Sequence, residues 1–408
     1  MTEISPKRGR VAHFIYLAPL GLYSRYMLSA YLRHVLTVAA ALMTVALTID
    51  LWPQIPLLTG GAAQSTLGTI WAIARLAVLR IPDLLPPFIP FATFLGVVWS
   101  EGAFTGSRER TLIWNSGRSP LQCLTPALMI GVLMGAALFV MDGYLRPAAI
   151  AVQIHEKLGR EGIRLDRTQS GGNHWLALPN GLLRAEIVYG PPLGLRNATI
   201  YTLDAVGHLK EVDTAALASP LASGDQWLLR DGHYWSVNLG TPQPEQDGTK
   251  YVIGGTREEA EVPFVQRKIS LSLNTLWLAN QGMSPQYLSM SDLWSLAHAQ
   301  INPHDNGSFR TRLQALYGEI ALTCAMAVLA ASLSLLSFAY RLRPVALIVT
   351  LLAGYLAHFA ARAFLLMGEF GYVWPMVAGW FTPLMLFLAA GGVFWLIQKQ
   401  RGLKKLSV

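Results

Sequence analysis

The chain has 408 residues, of which 52% are hydrophobic and only 14% charged, and its formal net charge is +8. A soluble domain carries about 25% charged residues, so this composition excludes an ordinary soluble globular protein and points to a polytopic membrane protein. The positive balance does not indicate nucleic-acid binding, because the basic residues sit at the ends of apolar runs, where membrane topology places them, and form no patch.

In chain order, residues 1–28 begin with Lys7, Arg8 and Arg10 and continue into a stretch interrupted by Pro19, Gly21 and Arg25. Those interruptions deny it the compact apolar core of a cleavable signal peptide. It reads as a cytoplasmic leader to an uncleaved first span. A helix needs about 20 apolar residues to cross ~30 Å of hydrocarbon, and six segments qualify: 30–52, 68–100, 121–144, 313–339, 343–367 and 372–398. The second contains Pro82, Pro86, Pro87 and Pro90, which must break or kink it.

Orientation follows from the Lys and Arg bias of the short loops. The loop 53–67 and the turn GEFGY carry neither residue, whereas Arg108, Arg110 and Arg118 separate the second and third spans. Arg341 and Arg343 separate the fourth and fifth, and Lys399, Arg401, Lys404 and Lys405 follow the sixth. This distribution puts both termini and the 101–120 loop in the cytoplasm and the polar insert, 148–305, on the outer side.

That insert begins with a helical lead, AIAVQIHEKLGREG, and then alternates polar and apolar residues between turn signals. HWLALPN, LLRAEIVYG, LRNATIYTLDAVG, QWLLRDGHYWSVN, KYVIGG, EVPFV and KISLSL read as short strands, about seven in all, which suggests an antiparallel sandwich, jelly roll or open barrel. Trp175, Trp227, Tyr234 and Trp235 are its expected apolar interior, and SPQYLSMSDLWSLAHAQ reads as a capped helix returning to the membrane. The two cysteines, Cys123 and Cys324, both lie in apolar segments, so no disulfide framework is available to the insert.

No phosphate loop, HExxH or GxSxG occurs, and His155, His174, His208, His233 and His304 lack metal-ligand spacing. The sequence therefore offers no catalytic constellation, metal site or cofactor site. The charges within the spans cost a few kcal/mol each at mid-membrane unless paired or hydrated. Asp50 and Asp142 stand near the outer ends of the first and third spans, and Glu319 lies deep in the fourth. His358 and Arg362 share a face of the fifth. Two readings stand: interfacial or ion-paired residues that fix packing, or a cavity for an anionic amphiphile in which Arg75, Arg80 and Arg362 meet the headgroup.

The stretch EGAFTGSRERTLIWNSGRSPLQ, residues 101–122, is more patterned than topology requires. Arg108, Glu109 and Arg110 open a short amphipathic helix continued by Leu112, Ile113 and Asn115 and stopped at Gly117. Such a helix lying on the membrane surface suits a groove on a cytoplasmic partner.

With these residues in view, the chain resembles the LptF/LptG (YjgP/YjgQ) permeases of the lipopolysaccharide export ABC transporter, from about Arg25 to Lys399. The similarity is carried by RYMLSAYLRHVL, LLPPFIPFATFLGVV, Glu109 followed by Gly117 and Ser119 in an E-(x)7-G-x-S pattern, LRPAA, the strand region 195–235, SPQYLSMSDLWSLAHA and FGYVWPMVAGWFTPLMLF. The proline-rich second span and the final segment resemble the LptG type slightly more.

The resemblance implies a coupling helix near 105–118 within a first membrane block, 29–147, with Glu109, Arg110, Leu112, Gly117 and Ser119 seated against a cytoplasmic ATPase dimer that supplies nucleotide chemistry in trans. It also implies a periplasmic β-jelly roll with its return helix over 148–305, a second membrane block at 306–399, and a cytoplasmic tail at 400–408. The implied partners are a sister permease of the same type and a periplasmic bridge protein. The implied cargo is lipopolysaccharide extracted from the inner membrane. Basic residues expected near the outer end of the first span are missing from TIDLWPQIPLLTG, which leaves Arg75, Arg80, Arg146 or Lys157 to meet lipid phosphates. Two other functional classes compete: an ion-coupled secondary transporter, for which the broken second span is the one supporting feature, and a membrane-anchored scaffold whose outer domain binds lipid.

Overall fold

A computed structural model describes residues 21–56, 66–165, 172–190, 193–221, 226–236, 262–271, 273–299, 306–340 and 345–406. The described residues fall into two compact units, one formed by the chain up to Gln153 and from Arg310 onward, the other by Ile154–Phe309. Most of the expected leader, residues 1–20, lies outside the described residues, as do the strand candidate KYVIGG and the side chains of Arg341 and Arg343.

The first unit is helical. Its elements are α1 (Leu22–Leu51), α2 (Thr66–Leu84), α3 (Ile89–Gly106), α4 (Glu109–Asn115), α5 (Pro120–Val140) and α6 (Arg146–His155), the last two joined by a π-helical turn, Met141–Leu145. After the inserted unit come α10 (Gly307–Ala339), α11 (Val345–Glu369) and α12 (Pro375–Leu406). Among the described residues, six helices are long and apolar enough to cross a membrane, spanning Leu22–Gln54, Pro86–Gly106, Leu121–His155, Gly307–Ala339, Ala346–Glu369 and Pro375–Lys399. The chain is a multi-pass membrane protein. Within α1, the hydroxyls of Thr37, Thr44 and Thr48 donate to the carbonyls four residues earlier, which satisfies polar side chains without an external partner.

The proline cluster divides the expected second span. After α2 ends, a single 3-10 turn, Pro86–Phe88, leads into α3. Pro90 is tolerated there because the first turn of a helix has no intrahelical acceptor to offer its N–H. The qualifying span therefore starts at Pro86 and not near 68, and α2 is a separate helix.

α3, α5 and α10 form the centre of the bundle, with Phe94, Val97, Ile130, Met326 and Ala330 fully buried. Helices approach closely where side chains are absent. A Cβ added to Gly96 of α3 would lie 2.6 Å from the Val35 backbone of α1, and one on Gly318 of α10 would lie 2.3 Å from the Gly379 carbonyl of α12. The outer helices are different. In the most apolar stretches of the α3 and α10 spans, 61% of residues are buried, against 22% for α1 and 17% for α11. Apolar surface on that scale must be covered by lipid or by another membrane protein.

The second unit contains α7 (Gly159–Arg164), six strands, α8 (Thr275–Ala279) and α9 (Met290–His298). The strands are β1 (Asn173–Leu178), β2 (Gly181–Val188), β3 (Gly194–Leu203), β4 (Leu209–Pro220), β5 (Gln226–Ser236) and β6 (Val262–Ser270), all antiparallel and in sequential order. Two sequence expectations are corrected here. VPFV and KIS, from two segments expected as separate strands, belong to one strand, β6, and β4 is a strand that the sequence reading did not pick out. Of the four aromatics expected inside, Trp227 is fully buried, whereas Trp175 is exposed and stacks on Tyr201 at 5.9 Å. The alternation of β1 buries Leu176 and so turns its neighbour Trp175 outward. The return segment does form a capped helix: Ser289 Oγ accepts the Asp292 amide at the start of α9.

Candidate functional site

The connection between α3 and α5 is built by backbone conformation. Arg108 takes the left-handed conformation, φ 64°, and separates α3 from the two-turn helix α4. Gly117, at φ 78°, ends the excursion. Glycine is favoured here, because that region costs an L-residue about 1 kcal/mol or more, a cost that Arg108 bears at the other end. Ser119 belongs to the next element. Its hydroxyl accepts the Gln122 amide at 3.2 Å while the Gln122 side chain accepts the Ser119 amide at 3.0 Å, a reciprocal capping box at the start of α5.

Side chains of α4 divide between two directions. Leu112 is 72% exposed, and Glu109 is half-buried in the first helical turn, where a negative charge is favoured. Tyr26 of α1 donates to Glu109 Oε2 at 2.7 Å, and Ser107 donates to its Oε1 at 3.1 Å. Arg110 points inward instead. It is 1% exposed and ion-paired to Glu101 of α3, which also accepts from the Tyr31 hydroxyl of α1. Arg118 stacks over the Tyr23 ring at 4.2 Å, and Trp114 meets Phe338 of α10. Of the five residues expected to face a partner, Glu109, Leu112, Gly117 and Ser119 are at least partly accessible, and Arg110 is an internal anchor.

The candidate headgroup residues are not gathered in one place. Arg80 and Arg146 are buried in an unbroken chain of ion pairs: Asp50–Arg80 at 2.7 Å, Arg80–Asp83 at 2.7 Å, Asp83–Arg146 at 3.2 Å, then Arg146–Asp142 and Asp142–Arg312. This chain ties α1, α2, α6 and α10 to the π turn that carries Asp142. Arg146 also donates to the Asp83 carbonyl and Gln153 to the Leu79 carbonyl, which fastens α6 along α2. Arg362 of α11 is 34% exposed and lies 3.7 Å from buried Glu319 of α10. The side chains of Arg75, in α2, and Lys157, in the inserted unit, are exposed.

Sequence reasoning passed over Glu101, Tyr23, Tyr26 and Tyr31 at the first site and Asp83 and Arg312 at the second. A signal existed for the tyrosines, since Tyr23, Tyr26 and Tyr31 recur on the broad face of α1 that ends beside the charged loop. Asp83 stands three residues after Arg80 on α2, a spacing that could have paired them, whereas nothing in the local pattern marks Arg312, whose partner Asp142 is 170 positions away.

A sequence model of the family described as "Lipopolysaccharide export system permease LptF/LptG" matches residues 25–399, nearly the whole chain. No curated protein matches the chain.

Proposed function

The chain belongs to the LptF/LptG family of lipopolysaccharide export permeases, and from that premise we propose that it is one permease subunit of an ABC transporter that extracts lipopolysaccharide from the inner membrane. The observation that carries the reading is α4: a surface helix of seven residues, Glu109–Asn115, set apart by left-handed residues and presenting Glu109 and Leu112 outward. This is the shape of a coupling helix. Its partner is a cytoplasmic ATPase dimer, with a basic residue lining the groove that receives Glu109.

In this reading both termini and α4 face the cytoplasm and the six-stranded unit lies in the periplasm, where it passes the lipid to a bridge protein. The domain plan of two membrane blocks, 29–147 and 306–399, around a periplasmic insert at 148–305 is part of the same proposal, and the two-unit division of the described residues supports it. The large apolar faces left by α1 and α11 accommodate a sister permease and the acyl chains of the cargo. Each buried methylene gains about 0.8 kcal/mol, so withdrawing acyl chains from a bilayer needs both an energy source and an apolar receiving surface. For the headgroup we favour Arg362, with Arg75 and Lys157 as accessory cations, because these three are accessible whereas Arg80 and Arg146 are themselves buried in ion pairs.

The test is Glu109→Arg in the transporter reconstituted with its ATPase. The variant should remain folded in the membrane yet lose association with the ATPase and ATP-driven lipid extraction. Normal co-purification together with normal extraction would overturn the coupling assignment.

A further inference from the structure

Building on the functional reading above, we propose that Tyr31, Glu101 and Arg110 form a rigid linkage that delivers the movement of the coupling helix to α1. The geometry is specific. One carboxylate, Glu101, holds the Tyr31 hydroxyl through Oε1 and the Arg110 guanidinium through Oε2, so α1, α3 and α4 meet at a single group. All three side chains are essentially excluded from solvent. In such surroundings hydrogen bonds to a charged group are strong and poorly screened.

The linkage is needed because α4 has little rigidity of its own. A helix of seven residues is too short to persist unaided, and Arg108 and Gly117 at its two ends break the regular winding that would otherwise join it to α3 and α5. Left to its backbone, α4 would swivel under load. Its side chains prevent this. Arg110 is held at Glu101, Glu109 receives the Tyr26 hydroxyl, and the adjoining Arg118 lies on the Tyr23 ring. The groups at the receiving end, Tyr23, Tyr26 and Tyr31, belong to α1, which packs closely on α3 at Gly96 while only 22% of its apolar stretch is buried. A force on α4 thus reaches α1 through polar contacts of fixed geometry.

Tyr31, Glu101 and Arg110 are positioning residues, and the discriminating readout is lipid extracted per ATP hydrolysed by the complete transporter in proteoliposomes containing lipopolysaccharide. Tyr31→Phe should assemble with the ATPase and hydrolyse ATP near the wild-type rate, with the extraction ratio reduced about five- to tenfold, within the usual range of coupling free energies. Glu101→Gln should reduce the ratio further, and the exchange Glu101→Arg with Arg110→Glu should recover part of it. A purely structural role would lower assembly and hydrolysis together and leave the ratio unchanged. An unchanged ratio in Tyr31→Phe, which removes one hydroxyl and no charge, overturns the linkage even if Glu101→Gln fails to assemble. Absence of ATP-driven extraction by the wild-type complex would instead overturn the functional reading and the linkage with it.

Discussion

Arg312 Nη2 of α10 lies 2.5 Å from Asp142 Oδ2, joining positions 170 residues apart across the inserted unit. Asp142 also holds Arg146, and both the acid and the two guanidinium groups are buried. The pair sews the two halves of the helical unit together at the π turn.

Removing that acid takes the paired carboxylate from buried Arg312 and leaves buried Arg146 with Asp83 alone. Asp142→Ala should lower stability by about 3–5 kcal/mol, the usual cost of breaking a buried ion pair from one side. Denaturant titration in detergent micelles measures this. A cycle with Arg312→Met should show coupling above about 1 kcal/mol, as for residues in direct contact; simple additivity would mean that the two side chains do not interact.

Glycine substitutions in α3 should diverge sharply. Gly96→Val drives a side chain into the Val35 backbone, 2.6 Å from the new Cβ, and should cost about 1–3 kcal/mol or more. Gly102→Ala, with nothing within 4 Å of the new atom, should be neutral or should stabilise α3 by up to about 1 kcal/mol, the helix preference of alanine over glycine. The same titration compares them. Equal effects would contradict the packing of α1 on α3.

Ser119→Ala removes one half of the capping box at the start of α5. A loss of about 1 kcal/mol is expected, with faster hydrogen exchange at the Gln122 amide, which loses its acceptor. Ser119→Asp should retain most of the protection, since aspartate also caps well.

The β3–β4 turn should respond to acid. Asp204 accepts the backbone amides of Val206 and His208, and these bonds, the one from His208 foremost, hold its carboxyl below the ordinary carboxylate range. A carboxylate with a lowered native pKa stabilises fully above its unfolded value of about 4 and loses that contribution as pH falls through the native value. Exchange at the two amides in the full chain should therefore accelerate, relative to neighbouring strand amides, only below about pH 4. Asp204→Ala should show the faster exchange at every pH.

The spans were legible because twenty apolar residues have few alternatives, and the short helix α4 because charge and glycine interrupt them. What escaped the sequence has identifiable causes. The alternation of β4 is disguised, since its inward positions are Asp213, Ala215 and Ala218, which carry little hydrophobic signal. Asp213 is tolerated there because Arg267 of β6 reaches it at 3.0 Å, although burial still raises its carboxyl above the ordinary range. Arg110 read as a surface cation because its inward turn depends on the left-handed residue before α4 and on Glu101, nine positions earlier. Arg80 and Arg146 read as lipid-facing although Asp83 and Asp142 stand three and four positions from them, because their second carboxylates, Asp50 for Arg80 and Asp83 for Arg146, are brought in only by the fold. The family motifs placed Glu109 and Gly117 in sequence; they said nothing about what α4 leans on.

The wide turn at Met141–Leu145 also sets the azimuth of everything after it. An α-helix advances about 100° per residue and a π turn, closed over one more residue, advances less, so restoring uniform α winding there without removing a residue would leave Asp142 facing Arg312 while swinging Arg146 and Gln153 roughly a quarter-turn off α2. The protein thus stores one residue of rotational slack between its third span and the segment that leaves the bundle, and the phase of that slack decides whether α2 is clasped or released.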